Sequence, residues 1–145
     1  MTLSTITTRW QSSAPQFLAL LRIVTAWIFL LAGAMKLFGW PGPMPAGAPP
    51  MTLFTEIWFA GVLEVVGGPL LLVGLFTRPV AFIIAGEMAV AYWQFNYGNH
   101  PLYPVLNMGV PSVVCCFIWL YISAAGPGAW SLDGHLARRA AALEG

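Results

Sequence analysis

Glu64 stands in the middle of an apolar run from Thr52 to Phe76, within Leu63-Glu64-Val65-Val66-Gly67-Gly68-Pro69. A run of that length reads as a membrane-crossing segment. A carboxylate halfway along it is costly unless it faces a bundle interior, finds a partner or loses its charge. Arg22 inside the first apolar run and Glu87 in the middle of the third face the same problem. The chain is therefore expected to gather its helices so that these groups turn inward. Only 8% of the 145 residues are charged and 59% are hydrophobic. A water-facing domain carries about a quarter charged residues, so composition excludes a soluble fold.

Four apolar runs with short connections predict an all-α, four-transmembrane-helix bundle over residues 15–128, with helices at about 16–38, 52–76, 79–97 and 104–125. The first run, Gln16 to Phe38, spans roughly 35 Å at the helical rise. Residues 1–14 form a polar tail with Arg9 and the interfacial Trp10, and residues 129–145 a second tail. Ala32-Gly33-Ala34 imitates a signal cleavage site, but Arg22 inside the apolar stretch argues for a mature helix. Five prolines between Gly39 and Pro50 predict a stiff loop. Pro69 and Pro111 predict bends, and Ala81, Ala85 and Ala89 make a small-residue face for close packing. Gly126-Pro127-Gly128 ends the fourth helix, and Asp133 is expected to cap a short helix bearing Arg138 and Arg139. With four spans, Arg9, Arg78, Arg138 and Arg139 share one side, which the positive-inside rule places in the cytoplasm together with both termini. A net charge of +1 gives no case for nucleic acid.

Counting from the cytoplasmic ends, Arg22 falls about 9 Å deep, Glu87 about 11 Å and Glu64 about 17 Å. Arg22, Glu64 and Glu87 are thus a candidate buried cluster able to relay protons. The plainer reading has Arg22 snorkelling and each glutamate neutral or bonded to a hydroxyl. Lys36 and Glu56 are expected to pair at the outer interface. Tyr92, Trp93, His100 and Asn107, with Tyr97 and Tyr103 nearby, form a candidate pocket for a quinone head group, or else an ordinary aromatic belt with Asn107 bonded to a neighbouring helix. Met35, Met44, Met51, His100 and Met108 share the outer half. Thioether and imidazole suit Cu(I), while methionine is also common packing in such helices. His100 and His135 lie on opposite sides and cannot share a haem. Cys115 and Cys116 make no CxxC and read as packing residues.

Leu21-Arg22, Gly33-Ala34-Met35-Lys36-Leu37-Phe38-Gly39, Gly61-Val62-Leu63-Glu64-Val65-Val66-Gly67-Gly68, Gly74-Leu75-Phe76-Thr77-Arg78, Met88-Ala89-Val90-Ala91-Tyr92, Leu106-Asn107, Gly126-Pro127-Gly128 and Ser131-Leu132-Asp133 together resemble the DoxX family of small four-helix membrane proteins. The likeness covers roughly Leu20 to Asp133. The family often carries a glutamate soon after the Asn-Gly-Gly of its fourth helix. Asn107-Met108-Gly109-Val110-Pro111 has none, so a role for that carboxylate does not transfer. The resemblance implies redox work at the bacterial inner membrane, linked to quinone or thiols and to membrane or redox partner proteins. The rival reading is a transporter or scaffold subunit without catalysis, since no nucleophile–base pair or phosphate loop is present. The alanine face also fits a homo-oligomer.

Overall fold

The computed structural model describes residues 8, 10–48, 50–98 and 100–144, and all regular structure among them is helical. Helix α1, Ala14–Phe38, has Pro15 in its first turn, where no donor is lost. It ends at Gly39, whose φ of 65° lets its N–H fold back onto the Met35 carbonyl at 3.1 Å. Helix α2, Glu56–Val73, starts later than the apolar run. The Thr55 N–H and hydroxyl both donate to the Thr52 carbonyl, and Phe54 adopts a φ of 64°, so residues 52–55 form a turn instead. Gly74, at a φ of 69°, closes α2.

Helix α3, Thr77–Ala91, continues into a π-helical turn, Tyr92–Asn96. Helix α4 is Val110–Ala125 and begins at Val110, not at Pro104. Asn107 Oδ1 accepts from the Gly109 N–H at 2.9 Å and Met108 sits at a φ of 61°, which ties residues 101–109 into turns. Pro111 consequently falls in the first turn of α4, where it cannot act as a mid-helix bend. Helix α5, Leu132–Leu143, is capped by Ser131, whose hydroxyl accepts from the Gly134 N–H at 3.2 Å. Asp133 does not cap α5. It reaches instead to the start of α3.

Helix α1 packs chiefly on α2 and α3 on α4, each pair antiparallel, with fewer contacts between the pairs. The α1–α2 approach depends on missing side chains. A Cβ on Gly33 would lie 2.7 Å from the Glu64 Cβ and 2.9 Å from the Val65 backbone nitrogen. Where lipid supplies no hydrophobic drive between helices, such close backbone contact is what holds them. The core joins all four elements: Ala26 and Phe29 of α1, Leu71 of α2, Ala81, Ile84, Ala85 and Met88 of α3, and Trp119 and Ile122 of α4. Phe29 and Trp119 meet edge to face at 5.9 Å. Ala81 and Ala85 of the small-residue face lie inside this core, against α4.

The outer surface is apolar, with Phe17, Val24, Ile28, Val66, Phe82, Val90 and Phe117 exposed. Helices α1 and α2 are long and apolar enough to cross a membrane, and α4 is a shorter apolar helix. Replacing Gly33 by leucine should separate α1 from α2 and lower stability by about 1–3 kcal/mol. Gly42→Ala, at a site with nothing within 4 Å, should change it little. Thermal unfolding of both variants in mild detergent checks this.

Candidate functional site

The close approach at Gly33 sets the register that builds the polar site. One turn further along α1, Lys36 donates from Nζ to Glu64 Oε1 on α2. Glu64 is 1% exposed, whereas the Lys36 side chain is 21% exposed, so the lysine stem reaches inward from the edge. Glu64 Oε2 has no hydrogen-bond partner among the described residues. Glu87 of α3 joins the group by lining the same cleft as Lys36. Both of its carboxylate oxygens are buried without a hydrogen-bond partner among the described residues.

One cation faces two carboxylates in a setting where charge is weakly screened. That arrangement leaves capacity for a further donor, a proton or a ligand hydrogen, at Glu87. The space for a ligand is present. Glu87 walls a cleft of about 290 Å³ between α2 and α3, lined also by Glu56, Phe59, Leu63, Ile83, Val90, Gln94 and Phe95. Gln94 and Phe95 come from the π-helical turn. Such turns re-aim side chains and recur at functional sites.

Arg22 is not part of this group, contrary to the expectation from depth. Its Nη1 donates to the Leu71 carbonyl at 2.9 Å and its Nη2 to the Trp130 carbonyl at 3.0 Å. Its charged neighbour is Asp133. It thus ties a carbonyl in the last turn of α2 to the one that precedes α5, and Gly74 is required above it. A Cβ there would lie 2.0 Å from Arg22 Nη1. Asp133 accepts from the Phe76 N–H at 2.9 Å and the Thr77 N–H at 2.8 Å, while its own N–H donates to the Gly74 carbonyl at 2.9 Å. Ala129 N–H donates to the Pro15 carbonyl at 2.9 Å, so one polar clasp binds the start of α1, the α2–α3 turn and the start of α5. Lys36 likewise leaves its expected partner Glu56 for Glu64, because the helices approach closely enough for its stem to reach.

The candidate pocket residues are largely engaged with one another. Tyr92 Oη donates to the Pro101 carbonyl at 2.6 Å and accepts from Asn107 Nδ2 at 3.1 Å, and Asn107 also donates to the His100 carbonyl at 3.3 Å. Trp93 packs against Tyr97 with ring centroids 4.2 Å apart and the planes tilted by 34°, and it is exposed, as is His100. Tyr92 and Trp93 do line a cleft of about 200 Å³ with Met88, Ser112 and Cys116. Of the candidate copper ligands, Met44 lines the cleft holding Lys36 and Glu87, whereas Met108 and Met51 are exposed. Among the described residues no three His, Cys, Asp or Glu side chains converge on a metal position. Sequence reasoning missed Lys36 as the partner of Glu64. The signal was the glycine spacing Gly33 against Gly61 and Gly68, which permits the close helix contact.

An apolar exterior around inward-turned, mutually contacting charges defines a helical membrane protein. The sequence matches the DoxX family over residues 17–97, and the chain belongs to that family. It is 38% identical to an uncharacterised protein of Haemophilus influenzae, over 86% of this chain and 94% of that one. It is 29% identical to the inner membrane protein YphA of Escherichia coli, over 84% and 91%, and 26% identical to an uncharacterised membrane protein of Mycobacterium tuberculosis, over 90% and 88%. No solved structure matches it.

Asp133 lies outside the membrane-crossing segments and supplies a pH test of the clasp. Burial acts to raise its pKa, but the Thr77 and Phe76 N–H donors and the Arg22 charge prevail and hold it below the usual aspartate value. A depressed carboxylate stabilises the fold fully above its unfolded value of about 3.9, and that contribution is lost as pH falls through the folded-state value. Wild type should therefore be more stable than Asp133→Asn at neutral pH. Unfolding measured in detergent as the pH is lowered past about 3.9 should show the difference closing.

Proposed function

We propose that this protein is a four-span subunit of a quinone-linked redox system in the bacterial inner membrane, and that Glu87 accepts a proton from the hydroxyl of a lipid-soluble quinol. The observation that carries the reading is the Glu87 carboxylate, unpartnered among the described residues, beside the Lys36–Glu64 pair at the wall of a cleft that is otherwise mostly apolar, with Glu56 and Gln94 as its other polar lining. A quinol combines an apolar body with a hydroxyl donor, which matches that lining. The family's association with membrane redox work supports the choice over other lipophilic donors. The chain contributes the proton acceptor and the apolar seat. A separate redox protein takes the two electrons while the two hydroxyl protons leave one after the other through Glu87, so this subunit works beside a partner.

The membrane placement follows the same logic. The Arg22–Asp133 clasp, Arg78 and the α5 arginines lie at one end of the bundle, which fits a cytoplasmic end carrying both termini. Four crossings require α3 with its π-helical extension and α4 to span along with α1 and α2.

Titration of the purified protein in detergent with a short-chain quinol should give saturable quenching of tryptophan fluorescence. Glu87→Gln should weaken that binding roughly tenfold, the factor for one lost hydrogen bond of about 1.4 kcal/mol, without lowering thermal stability. Non-saturable quenching that is identical in the variant would remove the quinol reading and leave a scaffold or transport role.

A further inference from the structure

Glu87 borders two clefts at once. The α2–α3 cleft of about 290 Å³ opens past Leu63, Ile83 and Val90, all exposed on the apolar surface. A second cleft of about 190 Å³ lies on its other side, walled by Lys36, by Ser112 of α4 and by Met44 of the proline-rich loop. Yet neither carboxylate oxygen is open to solvent. The buried Glu87 carboxylate therefore lies where the two clefts adjoin. Ala60, Ala91 and Phe95 border both clefts as well, and the two alanines crowd a change of Glu87 rotamer little on their side.

We infer that Glu87 is a two-sided shuttle: it takes a proton from a hydroxyl-bearing, lipid-soluble molecule in the α2–α3 cleft and releases it through the Lys36–Ser112–Met44 cleft to the face carrying the proline-rich loop. The O–H bond of the ligand breaks, its proton passes to the Glu87 carboxylate and then to water in the second cleft, and the ligand's conjugate base stays behind. Release is directed away from the Arg22–Asp133 end, because the second cleft is bounded by the loop that joins α1 to α2. The hydroxyl donor rests on the quinol reading above. The two-sided access rests only on the clefts.

Carbodiimides, which activate carboxyl groups, test the access on the unaltered full chain reconstituted in liposomes. Dicyclohexylcarbodiimide arrives through lipid, and a water-soluble carbodiimide arrives from the aqueous faces. Peptide mapping by mass spectrometry should find Glu87 modified by both reagents and Glu64, held by Lys36, by neither. Ser112→Phe should abolish modification by the water-soluble reagent while leaving the lipid-soluble one effective, and Ile83→Trp should do the reverse. The inference is overturned if the water-soluble reagent never reaches Glu87 in the wild type, or if both substitutions affect the two reagents alike. Since the wild-type arm needs no substitution, a plugged variant that fails to fold leaves it decisive. Two-sided labelling without quinol binding would retire the ligand and keep the shuttle.

Discussion

The molecule depends on one close helix contact. Because Gly33 carries no side chain, α1 can lie against the backbone of α2 at Glu64 and Val65, and Lys36 then falls where its ammonium meets a carboxylate that lipid would otherwise leave uncompensated. Neither residue is comfortable alone at that depth. Together they turn two charges that oppose insertion into a link between the first two helices. Glu87 then enters a site that already holds a balanced pair, and its own carboxylate is left free for something else.

The two ends of the helical assembly handle polar groups differently. At the Arg22 end the charged groups serve helix ends: the guanidinium covers the Leu71 and Trp130 carbonyls, and Asp133 covers the first N–H groups of α3, although Arg22 Nε and Thr77 Oγ1 have no hydrogen-bond partner among the described residues. Arg78 does the same for α4, donating to the Ser123 carbonyl at 3.1 Å and also to that of Ala124. This is helix-end chemistry, the satisfaction of groups that a helix leaves unpaired. Toward the other end the Lys36–Glu64–Glu87 group leaves carboxylate oxygens unsatisfied next to open clefts, so the capacity for chemistry concentrates there.

The helical, membrane-embedded character was legible in the sequence because it depends on composition and run length, which every residue reports. Membership of the DoxX family was legible for a similar reason, since many short motifs agree. Helix ends were less so: Asn107 and Met108 shape turns whose effect on α4 no hydropathy pattern records. Partner choice was hidden most deeply. Depth counting put Arg22 within reach of Glu87 and Lys36 beside Glu56. Which helix faces which, and how close it comes, is decided by glycine contacts that a linear count does not contain. Gly74 settles the matter for Arg22, since only a residue without Cβ lets the guanidinium pass under the α2–α3 turn.

A double-mutant cycle on Lys36 and Glu64 addresses the helix link most directly, with Lys36→Met, Glu64→Gln and the double variant unfolded under identical detergent conditions. Lys36→Met alone should be the most damaging, because it strands Glu64, and the two losses should couple by more than about 1 kcal/mol. Losses that simply add, within about 0.5 kcal/mol, would mean that the lysine and the glutamate do not act as one unit and that the link between α1 and α2 lies elsewhere.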